Sequence, residues 1–497
     1  MNLRTTVFVF FVAAVLTCAG QTGTELRLPA IFSHNMVLQQ GVPVPIWGWA
    51  NDGETVTVTF RDQKVVTKAA GGKWMVRLKK LKAGGPDVLT VRTKTASIQF
   101  TNVMVGEVWV CSGQSNMEWP LNRTENAEAA IAGANNPNLR LFTVRKVKAA
   151  APTNDVIGAW VECTPETVAN FSAVGYYFGR DLQAARRVPV GLIHASWGGS
   201  PAEAWMSEKV LAANPRYKAE ILDGYAQAWR EYEEALAKWQ QSDKTARQPT
   251  PPRWRPAELY NGMIAPLMPF AIRGVIWYQG ESNAERAEQY RSLFVDLIRN
   301  WRRDWGQGDF PFLCVQLAPY KAIKPEPGES SWAELREAQL LATKRLPKVG
   351  MVVITDVGDE KDIHPRKKEP VGVRLALAAR GIAYGERIVY SGPVLKQFKV
   401  KGNKAILRFA HVGSGLEAKD GELKGFAICG PDKKFVWANA KIVGKDTIEV
   451  SSPLVDRPVA VRFGWADYPV VNLWNKEGLP ATPFRTDNFP MITAGKK

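Results

Sequence analysis

Histidine and cysteine are the scarce residues of this chain, four and five among 497. No C-x-x-C pair occurs, and Cys111, Cys163, Cys314 and Cys429 are widely spaced. That spacing gives no indication of a zinc site or a dense disulfide framework. Cys111 and Cys314 lie within apolar runs and read as buried free thiols. Long hydrophobic stretches are also missing. The longest early run, Val7 to Leu16, is too short to cross a bilayer core. Arg4 precedes it and small residues follow, the layout of a secretory leader over residues 1–20 with cleavage near Ala19 or Gly20. The expectation is an exported, periplasmic or secreted protein with no integral membrane segment once the leader is removed. Cys18 offers a lipoprotein alternative that Thr17, a poor residue before a lipidated cysteine, disfavours. Acidic residues are outnumbered, 48 against 65 basic, giving a formal charge of +17. The basic residues are scattered rather than blocked together, so the excess reads as surface chemistry. An anionic partner is compatible with it, and a nucleic-acid partner is not expected.

What is present divides into three patterns. Over residues 25–103, short alternating runs such as Thr55 to Phe60, Lys73 to Leu78 and Val88 to Arg92 are separated by Asn-Asp-Gly and Gly-Gly turns, which predicts an N-terminal β domain. Over 104–390, apolar runs alternate with helical patterns: Val105–Cys111, Val188–Ala195, Gly274–Tyr278, Phe312–Leu317 and Val349–Thr355. That alternation predicts an α/β domain with a parallel sheet covered by helices on both faces. Helices are expected over Ala284–Trp305 and Glu166–Arg186, and a charged helical insertion with a Pro-rich linker over about 207–255. β patterning returns over 391–490, giving a C-terminal β domain.

In an open parallel sheet ligands bind beyond the carboxyl ends of the strands. Four such exits carry polar sequences: Cys111-Ser-Gly-Gln-Ser-Asn-Met117, Ala195-Ser-Trp-Gly-Gly-Ser-Pro-Ala-Glu-Ala-Trp205, Gln279-Gly-Glu-Ser-Asn283 and Asp356-Val-Gly-Asp-Glu-Lys-Asp-Ile-His-Pro365. A serine on a tight strand-to-helix turn is exposed to substrate, with its own N–H at a helix start. A hydroxyl is a weak nucleophile at neutral pH and needs a base. His34 and His411 belong to the β domains and His194 lies within a strand, which leaves His364 in a polar loop at the correct sheet edge. Ser115 and His364 are therefore the candidate nucleophile and base.

The motifs Gly106-Glu-Val-Trp-Val-Cys-Ser-Gly-Gln-Ser-Asn-Met-Glu-Trp119, Gly198-Gly-Ser-Pro-Ala-Glu-Ala-Trp205, Leu259-Tyr-Asn-Gly-Met-Ile264, Trp277-Tyr-Gln-Gly-Glu-Ser-Asn283 and Asp362-Ile-His-Pro365 span most of the chain. With them the sequence resembles the sialate O-acetylesterases, a branch of the SGNH hydrolases related to acetylxylan esterases. The resemblance implies a flavodoxin-like SGNH-hydrolase domain flanked by β domains, with Ser115 as nucleophile and His364 as base. It further implies deacetylation of an O-acetylated sugar or glycan without a metal or organic cofactor. The wider SGNH pattern puts an acid three residues before the histidine, where this chain has Lys361. Two candidates remain for the acid. Asp362 lies two residues before His364, and Glu281 stands where a glutamate of the Gln-Gly-Glu motif serves the related acetylxylan esterases. For the oxyanion hole the candidates are the N–H groups of Ser115 and Gly199, with a side-chain amide from Gln279 or Asn283.

Each motif also has a plainer reading. Asp356 and Asp359 are expected to cap or turn their loop, and Glu203 to brace the second loop. Trp119, Trp197, Trp205 and Trp277 stand where sugar rings could stack, although tryptophans beside a sheet more often pack. Two other function classes compete: a lipase of the same superfamily, and a non-catalytic carbohydrate-binding protein. A paired serine and histidine argue against the second, and polar exit loops against the first.

Overall fold

The computed structural model describes residues 25–497; the leader expected over 1–20 lies outside them. One strand organises the molecule. Ser97–Gly113 begins in the N-terminal β unit, paired antiparallel with Gly84–Arg92, and continues without interruption into the centre of the parallel sheet. The boundary expected at residues 103/104 falls inside this strand.

The parallel sheet runs in the spatial order Val349–Val352, Phe312–Val315, Gly274–Tyr278, Ser97–Gly113, Val190–Ser196 and Asn136–Thr143, and Trp160–Cys163 closes its edge antiparallel. After the central strand the chain lays down the outer strands of one side, returns inward to Val190–Ser196, and then crosses to build outward on the other side. The central strand therefore lies at the switch point, where a crevice opens at the carboxyl ends. Its side chains alternate between two cores. Val108 and Val110 pack with Ala287–Trp305, whereas Trp109 and Cys111 face Ala173–Arg186 and Glu369–Ala383. Burial on both faces explains why these strands read as near-continuous apolar runs.

The helix expected over Glu166–Arg186 is two, Pro165–Val168 and Ala173–Arg186. Between them the carbonyls of Ala169 and Phe171 accept from the N–H groups of Asn122 and Leu121, and Ser172 Oγ caps the second helix at Gly175 N, 3.0 Å away. Tertiary pairing breaks the helical pattern at Ala169–Ser172, where no proline or glycine marks an end. The helix expected from Ala284 starts at Ala287, preceded by a 3₁₀ segment, Glu281–Arg286. The 207–255 insertion holds the 18-residue helix Gly224–Gln241. The C-terminal β unit has its own core, including Leu407, Phe426, Val450 and Phe463. It docks through Arg336, whose guanidinium donates to the carbonyls of Ala466 and Asp467. Among the described residues all four cysteines are free and buried, and no helix is long and apolar enough to cross a membrane.

Candidate active site

Three strand exits meet at one level, because Gly113 is in register with Ser196 on one side and Tyr278 on the other. Gly113 has φ +137°, and a Cβ there would stand 2.1 Å from the Tyr278 carbonyl oxygen. Only glycine lets the central strand turn this close to its neighbour. The turn delivers Ser115 to the start of the short helix Ser115–Glu118. Gln114, buried, holds the next exit against it by accepting from the N–H groups of Gly280 and Ser282 at 3.4 and 3.2 Å.

Ser115 Oγ lies 2.8 Å from His364 Nε2. On the other side of the ring, Nδ1 is 3.3 Å from Asp362 Oδ1, and the same oxygen accepts from the His364 backbone N–H at 2.8 Å. The Asp362 side chain is 54% exposed. Trp119 stacks on the imidazole with centroids 5.0 Å apart and planes at 18°. The structure thus brings Ser115, His364 and Asp362 into one line. Glu281 occupies a different place: its Oε1 accepts from the Asn116 amide at 2.6 Å, and its other oxygen is buried with no partner. Of the two carboxylates named as candidates for the acid, Asp362 is the one placed against His364 Nδ1, and Glu281 bonds Asn116 instead.

Burial holds the His364 pKa below the ordinary imidazole value; Asp362 opposes this, and Lys368 adds to it. A lowered pKa keeps the ring in its basic form further into acid. The acid limb of kcat/KM is therefore expected below the reference histidine value of about 6.5. A limb at or above that value in a pH-rate profile would contradict this environment.

Gly198 passes against the nucleophile, and Gly199 follows it in the turn, against Arg253. A Cβ at Gly198 would lie 3.3 Å from Ser115 Cβ, and Gly199 adopts φ +75°. Glu118 fixes this turn by accepting from Gly198 N at 2.5 Å, and Lys146 pairs with the same carboxylate. Among the described residues the N–H groups of Ser115 and Gly199 meet no protein acceptor, so both are available to an anionic oxygen. The side-chain amides expected to help them are not. Gln279 Nε2 donates to Asn283 Oδ1 at 2.7 Å and to the Ser200 carbonyl at 3.2 Å, while its oxygen accepts from Tyr290. Asn283 Nδ2 donates to Glu203 at 2.9 Å, and its oxygen also accepts from Ala202 N. Both side chains are fully buried in this network. The oxyanion reading of Gln279 and Asn283 is accordingly corrected to one of holding the second loop, together with Glu203, which also pairs with Arg286 at 2.7 Å.

Asp359 turns the histidine loop by accepting from the N–H groups of Lys361 and Asp362, and Asp356 pairs with Arg374. Trp205 and Trp277 are wholly buried and cannot meet a sugar; Trp119 and Trp197 lie half-buried at the rim. Sequence reasoning missed the basic side of the site. Lys148 lies 4.4 Å from the Trp254 ring centroid and pairs with Glu258 at 2.8 Å. Arg253, from the Pro-rich linker, donates to the Gly198 carbonyl at 3.3 Å. These two residues also open a groove of about 1000 Å³ that runs along the insertion past Tyr225 and Trp229. Lys368 was missed as well. It is 1% exposed, and its Nζ is 2.5 Å from Asn116 Oδ1. The Lys367-Lys368 pair reads as surface charge, and only the proximity of Asp362-Ile-His-Pro365 could have marked the second lysine.

The chain is similar to known proteins over most of its length. Residues 105–380 match the family model described as carbohydrate esterase, sialic acid-specific acetylesterase. The sialate O-acetylesterases of Homo sapiens and Pongo abelii are each 30% identical over 516 residues, covering 95% of this chain and 94% of theirs. A carbohydrate acetylesterase of Xanthomonas citri superposes with a TM-score of 0.83 at 41% identity, over 93% of this chain and all of that one.

Proposed function

This chain belongs to the sialic acid-specific acetylesterase family of carbohydrate esterases, and from that membership we propose that it removes O-acetyl groups from sialic acids by serine catalysis at Ser115. The observation that carries the mechanism is the 2.8 Å contact between Ser115 Oγ and His364 Nε2. His364 takes the hydroxyl proton as Ser115 attacks the acetyl carbonyl, and the N–H groups of Ser115 and Gly199 receive the developing oxyanion. The imidazolium then protonates the departing sugar oxygen. In the second half the same base activates water, which releases acetate from the acyl-enzyme. Asp362 keeps the Nδ1 proton in place throughout.

Lys146, Lys148 and Arg253 beside the Gly198 turn favour a sugar bearing a carboxylate. The groove along Tyr225 and Trp229 favours a second reading, in which an acetylated polysaccharide lies across the insertion. Acetate release from O-acetylated sialic acid and from acetylated xylan separates the two, and absence of release from both would refute the proposal. The leader-like residues 1–20 make export part of the same reading.

Acyl size provides a further test. Each methylene buried in a matching pocket contributes about 0.8 kcal/mol, so a lipase gains from longer chains. Here the Gly198 turn packs against Ser115 and the Trp119 ring covers His364. Acetate esters should therefore exceed octanoate esters of the same alcohol in kcat/KM. The opposite order would move the protein to the lipase reading.

A further inference from the structure

Asn116 follows the nucleophile, is fully buried, and has no part in the chemistry described above. Its amide nevertheless joins three strand exits. Nδ2 donates to Glu281 Oε1 at 2.6 Å and to the carbonyl of Ile363 at 3.1 Å, and Oδ1 accepts from Lys368 Nζ at 2.5 Å. Ile363 immediately precedes His364. The bond to its carbonyl therefore ties the base-bearing loop to the residue beside Ser115. An amide can flip, and a flipped Asn116 would aim its oxygen at the Ile363 carbonyl. A cation on the oxygen side and a carboxylate on the nitrogen side exclude that orientation.

We propose that Asn116 is a positioning residue, oriented by the buried Lys368–Glu281 pair, that holds the His364 loop in reach of the Ser115 hydroxyl. Lys368 packs 5.4 Å from the Tyr278 ring centroid and 5.9 Å from that of Trp119, the ring that also stacks on His364. The charged and titratable groups facing this centre are Asp362 from the histidine loop, Glu281 and Tyr278 from the neighbouring exit, and Lys368 itself. Glu118 and Lys146 pair with each other across the Gly198 turn. Burial lowers the Lys368 pKa to about 7, against the pull of Glu281 and Asp362, and raises that of Glu281. Two opposite charges desolvated together in this way stay ionised only while both are present.

The inference rests on the Ser115–His364 chemistry, and phosphonate labelling of wild-type Ser115 tests that chemistry separately. In Asn116→Ala, kcat should fall about a hundredfold, the cost of a misplacement near 1 Å. KM should stay within a few-fold, and the full titre of phosphonate-reactive sites should be kept. Lys368→Met removes a positive charge that holds the His364 pKa down, so the acid limb of kcat/KM should move to higher pH. Lys368→Met combined with Glu281→Gln should lose less than the product of the two single losses, since neither charge is then left alone. Wild-type kcat in Asn116→Ala, or a loss matched by the loss of reactive sites, would overturn the assignment. Should Asn116→Ala fail to fold, wild-type kcat in Lys368→Met, which removes the cation that orients the amide, would overturn it equally.

Discussion

Ser115→Ala should lose activity on acetylated sugar on the order of 10⁶-fold in kcat, the loss seen when the nucleophile of a serine hydrolase is removed. Among the described residues Ser115 Oγ is the one hydroxyl within hydrogen-bonding reach of His364 Nε2. Ser196, which also sits at a strand end, bonds its own buried partner, His194, at 2.5 Å. Burial lowers the His194 pKa to about 4 and closes that pair off from substrate. A residual rate from the N–H groups at Ser115 and Gly199 is expected to survive, because binding and oxyanion stabilisation persist without the nucleophile. Single-turnover acetate release should show no acyl-enzyme. A variant retaining more than a hundredth of wild-type kcat would place the chemistry on another residue.

The second large effect is expected at Asp362. Asp362→Asn should lower kcat about a thousandfold, less than the ten-thousandfold known for a buried triad acid. Asp362 is half-exposed and stands 3.3 Å from Nδ1, so water shares the task of holding that proton. The loss should be greatest near neutral pH. Without the Asp362 charge the imidazolium formed in the transition state loses its counter-ion, and the acid limb should also move to lower pH, since Asp362 raises the ring pKa. Glu281→Gln should move that limb the other way, to higher pH, because its contact is with Asn116 and its loss lets Lys368 give up the charge that holds the ring pKa down. Equal limb shifts in the two variants would mean that both carboxylates address the ring.

The parts of this architecture that were legible in the sequence are those in which burial leaves a pattern. The strands Gly274–Tyr278 and Phe312–Val315 are buried at every position, and an unbroken apolar run is what such a strand requires. Ser115 and His364 could be singled out because histidine is scarce and the sheet edge can be deduced from strand order. Polar residues at the same edge were not separable by the same means. Gln279, Asn283 and Glu281 follow one strand within five positions. Whether an amide faces substrate or another amide depends on partners some 80 residues away, such as Ser200 and Ala202. Lys368 was illegible for the opposite reason. A lysine is almost never fully buried unless paired, and its partners, Asn116 and Glu281, lie 252 residues away and at a neighbouring exit.

The unbroken strand Ser97–Gly113 has a consequence for how the chain can be cut and recombined. Its first half pairs with the N-terminal β unit and its second half ends at the nucleophile turn. Glu107, in the middle, is bonded by Gln39 and Gln40 from one side and Arg273 from the other. A gene fragment that starts at residue 104 would begin inside a ladder and expose the edge of the strand that aims Ser115. The N-terminal unit is therefore not a cassette that could be exchanged among esterases as a tethered binding module can. Recombination crossovers in this stretch should yield insoluble chimeras, and lineages of this architecture should keep or lose the two parts together.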